Sequence, residues 1–194
     1  MIVISYSTTF SANTTFQYDK VIEFNNSSYK SYSSNNEKII LKSKDGELNL
    51  DTKEISLIGE VEGRFNLDSE VFKIKTGSLS GNLLDKSILS KQEVLFEAKG
   101  FEIVSSSMEI TQKVQEGVKV IFWNANLNQI NLESRMLRGK ANKIEFFLSK
   151  DLILLEGNAE FYEDNMKIIS DELHYDVRED RILKTVNAQI INNL

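Results

Sequence analysis

Apolar and polar residues alternate one for one along two stretches of this chain. In residues 54–65, EISLIGEVEGRF, Ile55, Leu57, Gly59 and Val61 fall on one side, while Glu54, Ser56, Glu60 and Glu62 fall mostly on the other. In residues 152–161, LILLEGNAEF, Ile153, Leu155, Gly157, Ala159 and Phe161 alternate in the same way with Leu154, Glu156, Asn158 and Glu160. A period of two is the mark of a half-buried strand. The two stretches also match each other without a gap, Ile55 to Val61 against Ile153 to Ala159, each with a glycine after Leu-x. Turn chemistry at Asp45-Gly46, Asp85-Lys86, Glu116-Gly117, Ser149-Lys150-Asp151, Glu163-Asp164-Asn165 and Glu179-Asp180 separates further alternating runs. No stretch keeps a helical period for more than two turns, so the pattern predicts an all-β chain with its strands in hairpin-like order.

A six-residue phrase recurs within this pattern: an apolar residue, any residue, Ser or Thr, two more of any kind, then Leu or Met. It stands as IKTGSL from Ile74, IVSSSM from Ile103, LESRML from Leu132 and IISDEL from Ile168, with starts 29, 29 and 36 residues apart. Nine residues after two of the copies comes another apolar strand start, Ile88 and Ile182. The implied unit is strand, turn, strand carrying the phrase, turn, strand, and repeated units of this kind stack to bury their apolar faces. Within the phrase the Ser or Thr shares a strand face with the first apolar residue, but the closing Leu or Met has the opposite parity. A bulge or bend is expected there to re-aim the chain, with the hydroxyl bonded to nearby backbone.

Composition narrows the class. The 194 residues carry 41% hydrophobic and 27% charged residues, the balance of a globular protein. The net charge of −6, with Lys and Glu interspersed, leaves no basic patch for nucleic acid. There is no Cys, which excludes disulfides and thiolate chemistry. No apolar run reaches the roughly 18–20 residues that span a bilayer. Residues 1–36 differ in character and are set apart from a β unit over 37–194. The opening MIVISYSTTFSANTTF, with a small-residue step at Ser11-Ala12 and no positive start, reads either as the tail of an export signal or as a plain strand. The Ser- and Asn-rich stretch 23–36 is expected as a mobile loop or ragged edge.

Nothing here composes an enzyme. The one histidine, His174, falls on a polar strand face beside Glu172 and Asp176, and a single histidine makes no metal site. No Ser, His and acid set has a spacing that joins its members. The acidic pairs Asp171-Glu172 and Glu179-Asp180 sit where solvated charges belong. The glycines are too scattered for a phosphate loop, and no cofactor or metal is expected. Phe96, Phe122, Trp123, Phe146, Phe147, Phe161 and Tyr175 lie in strands, either packing a core or lining an apolar groove.

The run from residue 146, FFLSKDLILLEGNAEFYEDNMKIISDELHYDVREDRILKTVNAQI, resembles the OstA-like domain of the lipopolysaccharide-transport periplasmic proteins LptA and LptC. It carries that family's strand at Leu155-Glu156-Gly157-Asn158-Ala159, its Ser-Asp-x-Leu-x-Tyr pattern within Ile168 to Tyr175, and a strand from Ile182. LDTKEISLIGEVEGRF and the run from Phe72 to Ile110 look more like the LptC version, so the resemblance covers about residues 45–192 and turns LptA-like from about 140. LptC proteins usually carry an N-terminal membrane helix, a feature this sequence does not show. A divergent LptA, an LptC without its anchor and a combination of the two all remain open.

The resemblance implies a twisted antiparallel β-jelly roll, two sheets packed as a V, whose apolar interior carries the acyl chains of lipid A across the periplasm. It also implies partners that join end to end by edge-strand pairing. The lining would fall to the apolar face of the repeated strands: Ile55, Leu57, Val61, Ile74, Phe96, Phe122, Ile144, Phe146, Ile153, Leu155, Phe161, Ile168 and Ile182. Two other readings stand beside it. One is a structural or adhesive β-solenoid or sandwich, whose interior would be closed and packed with aromatics. The other is a carbohydrate-active sandwich, which would need paired inward carboxylates.

Overall fold

The computed structural model describes residues 7–11, 16–18, 21–32, 37–82, 84–113, 115–130 and 137–192. Its strands are β1 (Ser7–Ser11), β2 (Phe16–Tyr18), β3 (Val21–Tyr32), β4 (Lys38–Asn49), β5 (Glu54–Leu67), β6 (Glu70–Asn82), β7 (Ser87–Ser90) and β8 (Val94–Ala98), then β9 (Phe101–Ser105), β10 (Ser107–Lys113), β11 (Gly117–Gln129), β12 (Leu137–Phe147), β13 (Leu152–Glu163), β14 (Met166–Asp176), β15 (Arg181–Val186) and β16 (Gln189–Asn192). One 3-10 turn, Leu148–Lys150, links β12 to β13. The all-β, antiparallel, hairpin-ordered expectation holds, including the two units β5-β6-β7 and β13-β14-β15.

Long antiparallel hairpins run from β3 to β6 and from β11 to β14. Between them the sheet divides. The first half of β6 pairs with β8 over Phe72–Thr76, and its last residues, from Ser80, pair with β7. β8 continues to β9 and β7 to β10, and both branches meet again on β11. The short strands thus join two halves of one sheet that face each other across a shared interior. At the termini, β1 and β2 both pair with β3, and β15 and β16 both pair with β14.

A seam of irregularity crosses the long strands. The register shifts between Ile58 and Val61 on β5 and between Glu156 and Ala159 on β13, each time at a glycine and its follower, both in the left-handed region: Gly59 and Glu60, Gly157 and Asn158. A Cβ on Gly59 would lie 3.1 Å from Lys44, and one on Gly157 would lie 3.0 Å from Asn142, so the neighbouring strand crowds both bulges. On the partner strands the buried parity changes at the seam: Phe72, Ile74 and Thr76 before it but Leu79 after it on β6, and Ile168 and Ser170 before but Leu173 and Tyr175 after on β14. This is the bend that the phrase requires, and it lets one strand serve both halves of the interior. In the second copy the break falls at Ser106, between β9 and β10. The third copy lies outside the described residues except for Leu137, which opens β12.

Two expectations are corrected. Asp45-Gly46 is no turn but lies within β4, where Asp45 pairs with both Asn25 and Ile58. Pairing on both flanks outweighs the local preference of Asp-Gly. Most of the Ser- and Asn-rich stretch expected as a loop belongs to β3, which is held along its length by β4 and buries Tyr29 to 5% exposure. Ladder hydrogen bonds serve a polar strand as well as an apolar one, so residues 21–32 pair with β4. Residues 7–11 form a strand on β3; residues 1–6, 12–15, 19–20 and 33–36, also part of the N-terminal reading, lie outside the described residues.

Candidate functional site

The register assembles the candidate lining residues into bands. One runs Tyr29–Leu41–Gly63–Ile74–Phe96–Ile103–Leu127–Gly139–Phe161–Ile168–Ile190, from β3 to β16, by direct cross-strand pairing. Across the seam a second runs Leu48–Ile55–Gly81–Ile88–Ile110–Val120–Phe146–Ile153–Tyr175–Ile182. Leu57, Phe122, Ile144 and Leu155 stand in a third band beside the second, the last three paired in sequence. Val61 follows the bulge on β5 and pairs with Thr76. Twelve of the thirteen residues are buried, and Ile182 is half-buried against the core. Glycine at 63 and 139 suits this face, because a Cβ there would come within 2.6 Å of Phe65 and 3.0 Å of Leu155.

The interior is filled. Phe65 stacks on Phe72 at 4.7 Å, Phe72 meets Phe96 at 5.6 Å, and Phe96 contacts Phe122 at 5.0 Å and Phe146 at 6.3 Å. Phe101, Tyr175 and Phe161 continue the chain of rings to β14. Residues of the first and second bands therefore pack directly on each other. A cavity of about 670 Å³ borders Ile55 alone among the lining candidates; the rest of its wall includes Ile88 and Leu89 beside Glu47, Glu54, Asn82 and Glu109. Trp123 and Phe147 are not core residues but half-buried on the outer face, Phe147 lying 5.6 Å beneath the ammonium groups of both Lys119 and Lys150.

The first two bands change character at the C-terminal edge. Ile168 is 4% exposed, but its partner Ile190 on β16 is 62% exposed. Among the described residues β15 and β16 pair only with β14, so their other sides present unmatched backbone groups. Leu183 adds a second exposed apolar side chain on β15.

Tyr162, Lys167 and Lys140 converge on Glu160, and their hydrogen bonds pull its carboxyl from the ordinary 4.5 down to about 2. Lys184, then His174, lowers Glu172, with His174 Nε2 2.5 Å from the carboxylate. Glu145 and Glu156 raise Lys143. At one end of the sheet Lys99 bridges Asp151 and Glu70, and Arg178 reaches Asp151 at 2.6 Å, tying together four chain reversals. Burial lowers Lys99, but its hydrogen bonds to Asp151 and Glu70 leave it raised; the Lys99 hydrogen bond, then that from Arg178, holds Asp151 below the ordinary carboxylate value. Among the described residues no group of His, Cys, Asp and Glu could hold a metal ion.

A family model described as LptA/(LptD N-terminal domain) LPS transport protein matches residues 47–181. This chain belongs to that family. The match begins well before residue 140 and so runs through the stretch that looks LptC-like. Among solved structures the chain is similar to LptH, the LptA-homologous periplasmic component of the conserved lipopolysaccharide transport device of Pseudomonas aeruginosa, with a TM-score of 0.56 at 10% identity. That likeness covers 62% of this chain and 93% of LptH and shows the shared jelly-roll fold. Comparison with curated proteins gave no match.

Proposed function

We propose that this protein is a periplasmic lipopolysaccharide carrier, which holds lipid A acyl chains against its inner face and joins neighbouring jelly rolls, or further copies of itself, by strand pairing at its two ends. Membership of the transport family supplies the class. The observation that carries the finer reading is the apolar band that crosses the whole sheet and reaches the surface at Ile190. A buried methylene contributes about 0.8 kcal/mol, so an acyl chain of about a dozen carbons gains roughly 10 kcal/mol without any specific polar contact. Because the middle of the interior is packed with rings, acyl chains enter at the C-terminal edge and advance by parting the two halves. The same edge suits strand addition, since an uncovered β-edge is a liability unless a partner pairs with it.

The filled interior favours a second reading, a scaffold whose function lies in its edges alone. Equilibrium binding of fluorescently labelled lipopolysaccharide to the full chain separates the two. The carrier reading expects saturable binding, weakened at least tenfold by Ile190→Asp, a change at an exposed site that leaves the core intact. Absence of binding by the folded chain would overturn it in favour of the scaffold.

A further inference from the structure

The Ser or Thr of the recurring phrase is buried in every copy whose third residue is described: Thr76 at 8%, Ser105 at 2% and Ser170 at 4% exposure. All three point inward and stand along one line of small residues beside the seam. Val61, Thr76, Val94 and Ser105 pair in sequence, Ala125 pairs with Ala141, and Ala159 pairs with Ser170. The joins are close: Ser105 and Ala125 lie one residue beyond the Val104–Asn126 pair, and Ala141 and Ala159 one beyond Lys140–Glu160. At the other end Ser43, 8% exposed, and Val61 lie one residue beyond the Lys42–Glu62 pair.

The hydroxyls differ in what they bond. Thr76 fulfils the expectation of a local partner: its Oγ1 donates to the carbonyl of Glu93 at 2.9 Å and lies 2.8 Å from the Ser90 hydroxyl. Ser43, Ser105 and Ser170 have no hydrogen-bond partner. A buried hydroxyl without a partner is unfavourable, and Ala in its place would cost nothing in lost bonds. Alanine does stand at 125, 141 and 159 in the same line. The three unpartnered serines are evenly placed, on β4, β9 and β14, each four strand steps from the next, about 19 Å along the sheet at ~4.8 Å per step.

We infer that Ser43, Ser105 and Ser170 form a hydrogen-bonding track on the inner face that recognises acyl chains carrying oxygen along their length, as hydroxyl, ester or amide groups, in preference to plain hydrocarbon. Flanking bands of Leu, Ile and Phe take the methylenes, and the hydroxyls take the oxygens that hydrocarbon walls alone would strand. This rests on the reading of the interior as a lipid site and adds a chemical selectivity to it.

The test compares binding of 3-hydroxytetradecanoate and of tetradecanoate to the full chain and to the Ser43→Ala/Ser105→Ala/Ser170→Ala variant, with urea midpoints for both proteins. The parent is expected to favour the hydroxylated chain by about fivefold to thirtyfold, the range of one or two hydrogen bonds. In the variant the two affinities converge, and the urea midpoint is no lower than the parent's. Equal binding of both chains by the parent, or a preference that survives in the variant, overturns the track while leaving the lipid site standing. A fall in the variant's midpoint with the preference intact overturns it too, by making the hydroxyls structural. If neither chain binds the parent, the lipid site and the track fall together.

Discussion

The chain builds the same device twice and ends it differently. In β5-β6 and β13-β14 a glycine bulge faces a strand whose buried parity changes, and the last inward apolar residue before the change is Ile74 in one unit and Ile168 in the other. In the first unit the sheet continues, and the next residue in the band is Phe96, fully buried among Phe72, Phe122 and Phe146. In the second the next residue is Ile190, mostly in solvent, on a strand that pairs only with β14 among the described residues. Likewise Ile88 is buried while its counterpart Ile182 is half-buried. Identical local chemistry thus gives a packed core in the middle of the sheet and an incomplete one at its end.

The comparison breaks most readily at the two band positions. Phe96→Ala should cost about 3–5 kcal/mol in urea unfolding, as expected for emptying a packed aromatic site. Ile190→Ala should stay within about 0.5 kcal/mol. Equal costs would mean that the edge is as well packed as the centre.

Next in size are the bulge glycines. Gly59→Ala and Gly157→Ala each force a side chain into the left-handed region, at about 1–2 kcal/mol, with some further crowding from Lys44 or Asn142. The two losses should agree closely in denaturation experiments if the units are equivalent.

Acid sharpens the difference between the outer faces. Glu160 belongs to the second unit, and its folded carboxyl titrates near 2 against an ordinary 4.5. A depressed folded value contributes stability that is fully present above the ordinary value and is lost as pH falls through the folded one. Stability attributable to Glu160 should therefore disappear between about pH 4.5 and 2. Asp151 acts in the same direction from its own ordinary 3.8 downward. Urea midpoints for Glu160→Gln should fall less steeply over that window than those of the parent.

The smallest expected effect is on association. At high concentration the parent should show weak self-association by sedimentation velocity, and Ile190→Lys should remove it, since a charge on an edge strand discourages strand addition.

Much of this was legible in the sequence because period-two patterns and turn residues are local. The parity conflict inside IKTGSL and IISDEL announced the bend, and Leu-x-Gly marked the bulge strands. Other features depend on partners that local chemistry does not name. Asp45-Gly46 has the composition of a turn, yet two flanking strands hold it extended. Only Lys91, Gln92 and Glu93 separate β7 from β8, and nothing in them says that the two strands belong to opposite branches of the sheet. The lining residues were identified as inward, and they are. Inwardness alone does not distinguish a residue that fills the core from one that meets a ligand, so the sequence left both readings of the interior side by side. Ser105 and Ser170 carried a signal, their fixed place in the phrase, whereas Ser43 lies outside it, and the lack of local partners is visible only in three dimensions.

The most direct test places a photoreactive residue in turn at Phe161, Ile168 and Ile190, along one band toward the open edge, with outward-facing Glu156 as the control, and measures adducts with lipopolysaccharide. The account predicts adducts at all three band positions, strongest at Ile190, and none at Glu156. Folded protein that crosslinks at none of the band positions, or as readily from Glu156 as from them, would contradict it.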